Sequence, residues 1–152
     1  MKQLLHIIIL SVLCSTVACT HNGGDIGHLF GQWRLESISE NDQSGNITSQ
    51  QCDTVFWAFQ SNICDIRLVD YNSYDYKFYT GLYEQGNNQL EINILSYMSY
   101  DIITAQDSAT ALRHLAPLYI DNLTPLFKIN TLNRNEMILE YNNKYYNFKK
   151  LN

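Results

Sequence analysis

Chemistry in a chain is carried first by histidines, cysteines and grouped carboxylates, and here all three are sparse. The histidines are His6, His21, His28 and His114, and none has a second histidine or a cysteine at the spacing a zinc ion needs. There is no Gly-x-Ser-x-Gly elbow, no His-Glu-x-x-His helix and no phosphate loop. Carboxylates fall singly on outward positions of the expected strands, so no pair is set up to exchange a proton with a substrate. His21 and His28 sit in or beside a polar N-terminal stretch. His114 lies near the end of a predicted helix, where the helix dipole favours a cation. The expectation is a protein with no catalytic residues, no metal and no cofactor. The net charge of −5, with basic residues scattered singly apart from Lys149-Lys150, excludes nucleic acid as a partner, because nothing is there to displace counterions from phosphates.

Cys19 stands in the most legible setting of the cysteines. Lys2 gives a positive start, Leu4 to Leu13 is an apolar run too short to span a bilayer comfortably, and Ser15-Thr16-Val17-Ala18 places small residues before Cys19. The pattern resembles a bacterial lipobox, whose cysteine becomes the diacylated first residue of a mature lipoprotein. That resemblance implies a signal peptide over residues 1–18, a lipidated flexible tether over 19–28 and a folded domain over 29–152. The polar Thr20-His21-Asn22-Gly23-Gly24-Asp25 suits a tether. The partner is then a membrane, reached through acyl chains on one residue, and the address is the cell envelope, at the outer membrane. Cys52 and Cys64 are expected as small buried or half-buried thiols rather than a disulfide, since strand register does not set them opposite one another.

The rest of the chain must position whatever site exists, and it reads as strands. Gln32 to Ser39 is the first, with Trp33 and Leu35 on one face, and Asn41 to Gln51 is a polar loop. Thr54 to Gln60 and Ile63 to Val69 flank Ser61-Asn62, a two-residue turn. Folding there sets Phe59 against Cys64, Trp57 against Ile66 and Val55 against Leu68, with Asp65 and Arg67 on the other face. A slip of one residue would destroy this agreement.

A second hairpin, Tyr76 to Glu84 and Asn88 to Leu95, is expected around Gln85-Gly86-Asn87. It sets Leu82 against Leu90, Thr80 against Ile92 and Phe78 against Ile94. Asp107-Ser108 caps a predicted helix over Ala109 to Leu115, with Ala109, Leu112 and Leu115 or Ala116 on its packed side. Three strands follow, at Leu126–Leu132, Glu136–Tyr141 and Lys144–Leu151. Their turns set Ile129 against Leu139, Phe127 against Tyr141, Leu139 against Tyr146 and Met137 against Phe148. Eight strands joined by short turns are expected to close into a barrel, because closure removes the edges, and the last strand returns to the first.

Gly31-x-Trp33 on the first strand, the meander and the short helix resemble the lipocalin family. The segment Leu29-Phe-Gly-Gln-Trp-Arg-Leu35 and the final Tyr146-Asn-Phe-Lys-Lys-Leu151 are similar to small lipocalin-like lipoproteins of Bacteroidetes. The resemblance implies an all-β, eight-stranded up-and-down barrel, with one short helix between strands five and six, that binds a small apolar ligand. It also implies a basic side chain over Trp33; Lys149, Lys150 or Arg134 is the candidate.

Two sites follow. Trp57, Phe59, Phe78, Thr80, Phe127, Tyr141 and Tyr146 point inward and either line a ligand pocket or pack as a plain core. So many rings in a small barrel favour the core. Tyr71, Tyr74, Tyr76, Tyr79 and Tyr83, extended by Tyr97 and Tyr100, form an outer surface suited to a glycan or a protein. Asp107-Ser108-Ala109 and Asp53-Thr54-Val55 also resemble the short O-glycosylation acceptor pattern of exported Bacteroidetes proteins.

Overall fold

Strand alternation sets the architecture, and it is clearest where apolar and polar residues alternate without exception. β1 (Gly31–Asn41) is followed by β2 (Ile47–Gln60) and β3 (Ile63–Asp70). Between the last two, Ser61 takes the left-handed conformation that starts the turn (φ 54°). Val55, Trp57 and Phe59 face Leu68, Ile66 and Cys64, as the alternation predicts. The computed structural model describes residues 27–41, 47–72, 75–97, 101–102 and 105–151, with backbone alone at 75, 101–102 and 105–106. Cys19, Tyr74 and Tyr100 lie outside the described residues.

β4 (Asp75–Gly86) pairs with β3 and with β5 (Gln89–Tyr97), whose far end carries the two-residue β6 (Asp101–Ile102). After the helix α1 (Ala105–Leu115) come β7 (Leu126–Leu132), β8 (Glu136–Tyr141) and β9 (Lys144–Lys150). β9 lies antiparallel to β1, with Leu35 opposite Phe148 and Trp33 opposite Lys150. β5 meets β7 through Gln89 to Glu91, and the backbone bonds Ile92 N–H to Pro125 O (3.1 Å) and Ile94 N–H to Leu123 O (2.8 Å) extend that seam. The sheet therefore closes as an eight-stranded antiparallel barrel, with α1 between its fifth and sixth long strands. The registers predicted for β7–β8 and β8–β9 hold: Ile129 faces Leu139, Leu139 faces Tyr146 and Met137 faces Phe148.

Three expectations are corrected. The polar stretch from Ile47 to Gln51 is strand, paired with β1 out to Asn41. It runs as a ribbon whose residues are exposed at every position, so no apolar periodicity marks it. The helix starts at Ala105, so Asp107 lies in its first turn and Ser108 inside it. Its buried residues are Ala111 and Leu115, while Ala109 is exposed and Leu112 half-buried.

The largest correction is the register of β4 with β5. The turn is the two-residue Asn87-Asn88, both left-handed (φ 53° and 59°), as a type I′ hairpin requires. Leu82 therefore faces Asn93 rather than Leu90, and Tyr83 faces Ile92. The shift is odd, so it turns β4 over. Tyr79 and Tyr83 are buried, whereas Phe78, Thr80 and Leu82 face outward. Gly81 shares the inward row, where a Cβ would lie 2.4 Å from the carbonyl oxygen of Asn93. Only glycine fits there.

Trp33 seals one end. It is fully buried and donates its indole N–H to Leu29 O at 2.8 Å. Lys150 crosses the ring with Nζ 4.8 Å from its centre and donates to His28 O at 2.9 Å. Of the basic residues expected over Trp33, Lys150 is the one in place. Gly31 (φ 116°) permits the crossing, since a Cβ there would lie 2.9 Å from Lys150 Cε.

Candidate functional site

The end of the barrel opposite Trp33 is covered by the chain's own residues. α1 runs into a 3-10 turn, Ala116–Leu118, and Ala111, Leu115 and Leu118 are buried beside the wall residues Ile38, Tyr79 and Tyr146. Hydrogen bonds tie this lid to the wall, the longest of them from Gln50 Nε2 to Pro117 O at 3.4 Å. The Tyr79 hydroxyl and His114 Nδ1 lie 2.7 Å apart, and Tyr146 donates its hydroxyl to Leu118 O at 2.7 Å. Tyr97 stacks beside both Tyr79 (5.1 Å) and His114 (5.6 Å). His114 is thus bonded to a core tyrosine, where the sequence suggested a cation at a helix end.

Beneath the lid the interior is aromatic. Phe127 touches Tyr141 (5.1 Å), Tyr146 (5.5 Å) and Trp57 (5.5 Å), and Trp57 also meets Phe148 at 4.9 Å. Phe59 contacts Trp57 and Tyr83. Of the residues expected to line a pocket, Trp57, Phe59, Phe127, Tyr141 and Tyr146 come together in this stack. Phe78 and Thr80 do not. Phe78 lies outside under the Arg67 guanidinium (5.2 Å), and Thr80 donates to Asp65 at 2.9 Å on the same outer face. Of the expected outer tyrosines, Tyr71 and Tyr76 are exposed. Tyr79 and Tyr83 belong to the interior, which dismantles that surface as a continuous patch.

Burial governs the titration of these groups. Desolvation pushes the Tyr79 and Tyr146 phenols well above the ordinary tyrosine value and Tyr83 to about 12. Tyr141 is raised to about 12, first by burial and then by its bond to Asp121; that bond in turn holds the Asp121 carboxyl below the usual range. Cys52 and Cys64 are free, buried thiols, as expected, and desolvation raises both. Buried thiols of this kind are poor nucleophiles. Among the described residues no group of three or more His, Cys, Asp or Glu is placed to hold a metal ion.

Among the described residues, one polar side-chain atom inside the barrel has no partner. The Trp57 indole N–H is buried with no partner among the described residues, while the Trp33 indole N–H and the hydroxyls of Tyr79, Tyr83 and Tyr146 are hydrogen-bonded. An unsatisfied buried donor costs about 1–3 kcal/mol.

Sequence reasoning set Tyr79 on the outer surface and His114 at a helix end, and missed Ala111 and Leu118. The usable signal was Asn87-Asn88, a turn pair whose length alone turns Tyr79 inward.

No curated protein matches the chain. Two solved structures do. A lipocalin-like protein from Bacteroides uniformis is 21% identical over 82% of this chain and 100% of its own, with a TM-score of 0.64. An uncharacterized protein from Bacteroides eggerthii is 19% identical over 81% of this chain and 99% of its own, with a TM-score of 0.63. At that identity they show the fold. The family model of the lipocalin-like domain matches residues 12–151, and the chain belongs to that family.

Proposed function

We propose that this is a non-catalytic, lipid-anchored barrel that takes up a small apolar molecule at the end covered by α1. The observation that carries the reading is the plug: Ala111, Leu115 and Leu118, supplied by α1 and the turn after it, are buried at the barrel mouth. Withdrawing the two leucines loses about 3–6 kcal/mol of apolar burial. An apolar ligand of similar area restores that term. Against binding stand the lid's hydrogen bonds to the wall, about 1 kcal/mol each, and the ordering of the ligand itself. Trp57 adds chemistry to the choice, because a ligand with one hydrogen-bond acceptor at its buried end satisfies the free indole N–H.

Titration with N-phenylnaphthylamine, read by probe emission and by quenching of tryptophan, tests this. Wild type should bind, and His114→Ala, which frees the lid from Tyr79, should bind about fivefold more tightly. Absence of probe uptake by both proteins would end the carrier reading. The anchor is tested separately: the intact mass of the mature protein should show acylation at Cys19 and a location in the outer-membrane fraction. An unmodified N-terminus elsewhere removes the anchor from the proposal.

A further inference from the structure

The sealed end of the barrel carries a second concavity, unrelated to the lid. It lies between the β2–β3 turn, the β4–β5 turn and the second half of β7, opens to solvent, and has a volume of about 810 Å³. Five residues with carboxamide side chains line it, Asn62, Gln85, Asn87, Asn88 and Asn130, beside His28. Among the residues that line it there is no carboxylate, lysine or arginine. Ile129 and Leu132 supply apolar wall.

The frame is fixed by the fold. Tyr83 donates its N–H to Asn62 O (2.9 Å) and its hydroxyl to Ser61 O (2.7 Å), which joins β4 to the β2–β3 turn. Ile129 donates its N–H to Asn88 O at 2.7 Å, which joins β7 to the β4–β5 turn. Asn130 is held by donating its amide to Glu140 at 2.9 Å. The turns that present the amides therefore stand in place before any ligand arrives, and preorganisation lowers the ordering cost of binding.

We infer that this cleft binds a neutral saccharide. A carboxamide offers a donor and an acceptor side by side, the complement of two neighbouring sugar hydroxyls. Several in one cleft, with no formal charge among them, select a ligand rich in hydroxyls and lacking carboxylate, sulfate or phosphate. The cleft volume suits one or two pyranose units, within the range of small-ligand sites. Ile129 and Leu132 suit the C–H face of a sugar ring.

The test uses the mature chain and a panel of neutral gluco-, manno- and galacto-oligosaccharides beside sulfated and uronate counterparts, followed by calorimetry on the best binder. Neutral members should bind, with an affinity insensitive to added salt, since no charges are paired. Asn62→Ala/Gln85→Ala should weaken that binding about tenfold, as expected for two hydrogen bonds lost. Both positions are exposed and outside the left-handed turn residues. Near-ultraviolet circular dichroism and N-phenylnaphthylamine titration of the same variant should match wild type, which separates this cleft from the lidded end and from misfolding. Binding confined to the acidic sugars, no binding by any neutral member, or neutral binding untouched by the double substitution would each overturn the assignment.

Discussion

Two hairpins of the same barrel, β2–β3 and β4–β5, differ in how much of their register their side chains decide. In β2–β3 every inward residue from Val55 to Leu68 is apolar or a thiol, and Asp65 and Arg67 can only face out. Sliding that pair by one residue would bury both charges. β4 offers no such veto. Tyr76, Phe78, Tyr79, Leu82 and Tyr83 place large apolar surface on both faces, so either face makes a plausible interior. What breaks the tie is backbone chemistry at two places. Asn87-Asn88 accepts the two left-handed residues of a tight turn, and Gly81 must sit where Asn93 O leaves no room for a Cβ. Where side chains are ambiguous, the turn sets the register.

Truncations give the sharpest way to break this comparison. Trp57→Ala in β2 and Tyr83→Ala in β4 should each cost about 3–5 kcal/mol, because both rings are buried. Leu82→Ala should cost less than about 1 kcal/mol, because that side chain is 43% exposed. Urea denaturation of the three variants measures the order directly. A larger loss at Leu82 than at Tyr83 would restore the register with Leu82 inside.

The same contrast explains what was legible beforehand. The barrel, its closure through β9 and three of its hairpin registers follow from alternation and from turns at Ser61-Asn62, Asn133-Arg134-Asn135 and Asn142-Asn143, while the basic residue over Trp33 came from the family resemblance, which left Lys149, Lys150 and Arg134 open. The inward stack of Trp57, Phe59, Phe127, Tyr141 and Tyr146 was equally readable. The lid was not, for two reasons. Tyr79 reaches His114 only once β4 is turned over. The helix, moreover, has apolar residues on two sides, Ala111 and Leu115 on one and Ala109, Leu112 and Ala116 on the other. Periodicity cannot choose between two stripes of equal quality; the barrel mouth beneath does. The amide cleft was unreadable because its members come from two separate turns and from strands β4 and β7, joined only by closure.

A smaller effect sharpens the role of the turn. Gly81→Ala should destabilise by about 1–3 kcal/mol through overpacking against Asn93. Gly86→Ala, next to the turn and with no atom near its would-be Cβ, should stay within about 0.5 kcal/mol of wild type. Equal effects at the two glycines would mean that the close approach of β4 to β5 does not constrain the register.

The smallest effect concerns the end where side chains and backbone agree. Lys150 spans Trp33 and donates to His28 O, and burial draws its ammonium below the ordinary lysine value. Lys150→Ala should cost about 0.5–1 kcal/mol, the range of a partly exposed cation over an indole. Gly31→Ala should cost more, because it adds a clash with Lys150 Cε to the strain of a side chain at φ 116°. The two losses should not add. Removing Lys150 takes away the clash and leaves the backbone strain, so the double substitution should be less destabilising than the sum by a measurable coupling, about 0.5 kcal/mol or more. A thermal or chemical denaturation cycle over the four proteins reads that term. Strict additivity would show that Gly31 serves the backbone alone, and that the Gly-x-Trp pattern and the lysine that crosses it are independent features of the sealed end.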